Sequence, residues 1–62
     1  MSDLLGAITL EDQIACIERE LGYRRSVYAR RVADQKMSQA LSDREISRME
    51  AVLATLKALR AP

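Results

Sequence analysis

Four arginines in one stretch, Arg24, Arg25, Arg30 and Arg31, are the side chains of this sequence best suited to recognition chemistry. With Lys36 and Asp34 they give residues 22–36 a local charge of +4. Planar guanidinium forks match phosphate and carboxylate groups. Tyr23 and Tyr28 lie among them and offer faces on which bases stack. The same residues also have a structural reading. Residues 9–21 carry Glu11, Asp12, Glu18 and Glu20 against Arg19, a local charge of −3. A helix that is acidic at its start and basic at its end complements its own dipole. Pairs at i,i+4, Glu20–Arg24 and Arg30–Asp34, would add to it. We prefer this structural reading, with a basic patch of Arg24, Arg25, Arg30 and Arg31 as the alternative.

Other chemistry is sparse. The sequence has no histidine, so it holds neither a Ser-His-Asp nor a Cys-His arrangement. Cys16 is the single cysteine. It excludes an internal disulfide and a zinc site, and reads as a small packing residue. Glu18 and Glu20 fall on different faces of a helix, where paired acid–base work is excluded. No glycine-rich phosphate loop is present. A non-enzymatic protein without cofactor or metal is expected.

The elements that carry these residues are helices. Gly6 and Gly22 are the two glycines, and Pro62 is the one proline. Leu10, Ile14, Ile17, Leu21, Tyr28 and Val32 recur at helical spacing, widened by Cys16 and Val27. Thr9 followed by Asp12 approximates a capping box, with Glu11 and Asp12 in the first turn. A first helix over 10–34 is predicted. Ser38 is a good N-cap, and Met37 before it can pack on Leu41. A second helix over 38–60 carries Leu41, Ile46, Met49, Val52, Leu53, Leu56 and Leu59. The short connection predicts antiparallel neighbours. Pairing about the turn sets Val32 near Leu41, Tyr28 near Ile46, Leu21 near Val52 and Leu53, Ile17 near Leu56, and Ile14 near Leu59. The fold class is all-α, a two-helix hairpin over 9–62 behind a short arm, 1–8. Its expected core is Ile14, Ile17, Leu21, Tyr28, Val32, Ile46, Met49, Leu53 and Leu56.

Arg24 occupies the stripe position between Leu21 and Tyr28. A bare guanidinium there is costly. Glu45 borders the opposing stripe, so an Arg24–Glu45 or Arg31–Glu45 pair is expected to fix the hairpin's register. Gly22, inside the first helix, costs up to ~1 kcal/mol relative to alanine. It reads either as a tolerated surface residue or as a place where another helix comes close.

With 62 residues, the chain buries only about 60% of the surface its unfolded form exposes. Both apolar stripes are wider than one helix–helix seam. A homodimer forming a four-helix bundle is the expected remedy, with another protein as a second candidate partner. The net charge of +1 makes nucleic acid the less favoured partner. No run approaches the ~18 apolar residues of a membrane span, and residues 1–8 lack the basic lead of a signal peptide. A bacterial cytoplasm is the expected compartment.

Three segments carry a resemblance: Thr9-Leu10-Glu11-Asp12-Gln13-Ile14, Arg24-Arg25-Ser26-Val27-Tyr28, and Glu45-Ile46-Ser47-Arg48-Met49-Glu50-Ala51-Val52-Leu53. Through them the sequence resembles a group of small proteins of bacteriophages and proteobacterial prophages. It departs from that group in Ala29, where proline is common, and in Gln35, where glycine is common at the turn. The resemblance implies a phage or prophage setting and no particular activity. By size and architecture the chain is also similar to the Rop-type plasmid regulators, dimers of helical hairpins that bind RNA. That likeness transfers no binding residue.

Overall fold

Thr9 opens the first helix. Its side-chain hydroxyl accepts from the Asp12 N–H at 3.0 Å, and the Asp12 carboxylate accepts from the Thr9 N–H at 3.2 Å. The capping box therefore closes with aspartate in the position usually given to glutamate. The computed structural model describes residues 7–60. The first helix, α1, runs over Leu10–Ala33 and the second, α2, over Gln39–Arg60. They pack against each other as an all-α hairpin, and no strand occurs among the described residues.

Helix α1 stops one residue short of the expected boundary. Asp34 is its C-cap, and Gln35 follows in the left-handed region at φ 60°. The Lys36 N–H donates to the Arg31 carbonyl at 2.8 Å, and the Gln35 N–H to the Val32 carbonyl at 3.0 Å. These two bonds are the Schellman pattern, which satisfies the last carbonyls of a helix. It normally places glycine where Gln35 stands. Ser38 then caps α2, its hydroxyl accepting from the Leu41 N–H at 3.0 Å. The turn is thus set by hydrogen bonds local to residues 30–42.

The seam is narrow. Ile14 and Leu21 are the only large apolar side chains buried in it among the described residues, at 3% and 2% exposure. Leu10, Ile17, Tyr28 and Val32 of α1 are half-buried, as are Ile46, Met49, Leu53 and Leu56 of α2. Ser42 is buried, which the sequence reading missed. Stepping back four residues from Ile46 continues the row Ile46, Met49, Leu53, Leu56 to Ser42, one position from the expected Leu41. The same row reaches Arg60 forward from Leu56. Leu59 falls at the edge of the seam, 68% exposed. Val52 is likewise displaced outward, at 47%.

Candidate functional site

The two broad sides of the hairpin differ in chemistry. Glu11, Glu18 and Arg25 are spaced by seven and share one row of α1. Each reaches across to α2. Arg60 donates to Glu11 at 3.2 Å, Lys57 stands 3.1 Å from Glu18, and Arg25 donates to Glu50 at 2.6 Å. Three cross-hairpin ion pairs thus cover one side. The sequence reading did not foresee them. Its own pairing of Ile17 with Leu56 contained the signal, since the next residues along, Glu18 and Lys57, are of opposite charge.

Across the seam from these pairs, the other side carries an apolar patch. Ile8, Asp12, Gln13, Cys16 and Ile17 meet Val52 and Leu56 around an open depression of about 380 Å³. Ile8 is 73% exposed, and Leu59 adds its exposed side chain near the end of α2. Cys16 is a free, exposed thiol on this side, not a packing residue.

The charges near the middle of this side are neutralised within their own helices. Arg24 Nε donates to Glu20 at 3.1 Å, and Arg48 donates to Glu45 at 3.0 Å. The Glu20 carboxylate raises the Arg24 pKa above its ordinary value; partial desolvation opposes this and Tyr28 adds to it. The pairing with Glu20 thus favours the charged form of Arg24. The expected register pair is corrected here: among the described residues neither Arg24 nor Arg31 pairs with Glu45. Arg25 lies level with Glu50, so Glu45 sits more than one helical turn, about 9 Å, nearer the hairpin turn than Arg24 does. Glu20 is one turn away on the same helix and is the easier partner.

The expected basic patch is divided in the same way. Arg24 and Arg25 are engaged by Glu20 and Glu50. Arg30 and Arg31, with Lys36 and Arg44, have no ion-pair partner among the described residues and stand around the turn. The Arg30–Asp34 pair does not form. Tyr23 points outward, 65% exposed, while Tyr28 is half-buried beside Arg24. A Cβ added to Gly22 would meet nothing within 4 Å, so no neighbour in the hairpin requires glycine there.

Among the described residues no group of three metal-ligating side chains comes together, and no helix is long and apolar enough to cross a membrane. No family model, characterised protein or solved structure matches this chain.

Proposed function

We propose that this protein is a non-enzymatic helical interaction module of phage or prophage type, working in a bacterial cytoplasm and docking on another helical surface through the apolar side of its hairpin. One observation carries the reading. A single side exposes Ile8, Cys16 and Val52 around a depression, while three ion pairs cover the other side. Exposed apolar surface rimmed by polar groups is the mark of an interaction site. The phage-type resemblance supplies the setting.

Cys16 provides the test, because it lines the depression. Alkylation of its thiol should be fast in the dilute purified chain and slow in host lysate, where the docking surface is covered. Val52→Glu should restore fast alkylation in lysate. Equal rates in both settings refute docking through this side.

A second reading has its own observation, four cations around the turn that have no ion-pair partner among the described residues. Arg30, Arg31, Lys36 and Arg44 suit a Rop-like RNA- or DNA-binding role better than the half-committed set Arg24, Arg25, Arg30 and Arg31. Binding to mixed duplex RNA or DNA that weakens steeply with salt would favour it. Its absence at low salt ends it.

A further inference from the structure

We infer that the occupant of the apolar side is a second copy of this chain, and that two hairpins close face to face into a four-helix bundle. The inference rests on the docking reading above and names its partner.

The surface is large enough. Helix α2 has 22 residues, about 33 Å of length, and two helices side by side are about 20 Å across. A face of that size covers about 650 Å² on each copy, about 1,300 Å² in all, against roughly 1,000 Å² for a specific interface. The surface is also electrically self-compatible. Its central charges are two neutral pairs, Glu20–Arg24 and Glu45–Arg48, each satisfied within one helix. Two identical surfaces therefore meet with their central charges already paired, and Asp12, at the edge of the depression, keeps its carboxylate hydrogen-bonded to the Thr9 N–H.

The hairpin's own core points the same way. Two buried large apolar side chains among the described residues, Ile14 and Leu21, are a slender basis for a fold whose single cysteine allows no internal disulfide. Half-buried Ile17, Leu56 and Leu10 gain burial when the face is covered. A second copy is present wherever the chain is made. The ion-paired side offers no equivalent surface, so the contact is isologous and stops at two.

Sedimentation equilibrium of the purified full chain tests this. The mass should be twice the chain's 7.0 kDa at micromolar concentration. Thiol alkylation of Cys16 should slow in proportion to the fraction paired. Val52→Glu and Leu59→Glu, at positions already exposed in the hairpin, should return the mass to that of one chain. Glu18→Gln, on the ion-paired side, should leave the twofold mass in place. A helical monomer throughout the concentration range overturns the second-copy inference; if Cys16 is still protected in lysate, the docking reading stands. A dimer indifferent to both glutamate variants overturns the assignment of the face and the docking reading with it. Masses that keep climbing past two overturn the closed pair.

Discussion

Gln35 shows how one residue can hold a turn at a cost. At φ 60° its Cβ crowds the backbone, which glycine avoids. The hydrogen bonds of Lys36 and Gln35 to the Arg31 and Val32 carbonyls require that conformation nonetheless. Glycine would keep both bonds and relieve the crowding, while adding some freedom to the unfolded chain. Gln35→Gly should therefore stabilise the protein by about 0.5–1 kcal/mol, raising the midpoint of a thermal melt by about 2–8 °C. A lowered midpoint would mean that the Gln35 side chain contributes a contact worth more than the strain.

At the scale of the helices, register is held by apolar spacing and edged by exposed ion pairs. Arg24 and Glu45 bond within their own helices, so a double-mutant cycle between them should give a coupling near zero. The cycle between Arg25 and Glu50 should give about 0.2–1 kcal/mol, the range of exposed pairs, and less in high salt. Urea melts of the single and double alanine variants measure both. A larger coupling for Arg24–Glu45 would restore that pair as the register lock. The helices and their antiparallel turn were legible because 3.6-residue spacing and the Thr9 and Ser38 caps are local signals. Which side of each stripe becomes the seam was not. Burying Ser42 beside a half-buried Leu41, and leaving Leu59 exposed at the edge, depends on how closely two backbones approach, and a small side chain in the row permits that approach. The partners of Arg24 and Glu45 were misjudged for a related reason: an error of one turn in level moves a charged tip by about 5 Å.

The whole molecule divides into a thin buried seam and a broad half-covered surface, and substitutions should sort accordingly. Leu21→Asp places a charge at a position 2% exposed and should abolish the helical circular-dichroism signal at room temperature. Leu59→Asp, at 68% exposure, should keep that signal when the chain is concentrated or diluted below its association range alike. Loss of helix in both variants would show that the seam extends to the end of α2. The candidate site was only partly readable from the sequence. Wide stripes announced surplus apolar surface, but its gathering on one side depends on the row Glu11, Glu18, Arg25 meeting Glu50, Lys57 and Arg60, a tertiary fact.

The turn has a consequence for the order of events in time. Its Schellman bonds and the Ser38 cap join residues no more than five apart. Closing so short a segment takes on the order of 100 ns, and helices of this length form in about a microsecond. Bringing α1 onto α2 is therefore a fast, unimolecular event. If two hairpins make the finished bundle, the slow observable step of refolding is their collision. Its half-time should lengthen as the chain is diluted, and a refolding trace should follow second-order kinetics from micromolar concentrations downward.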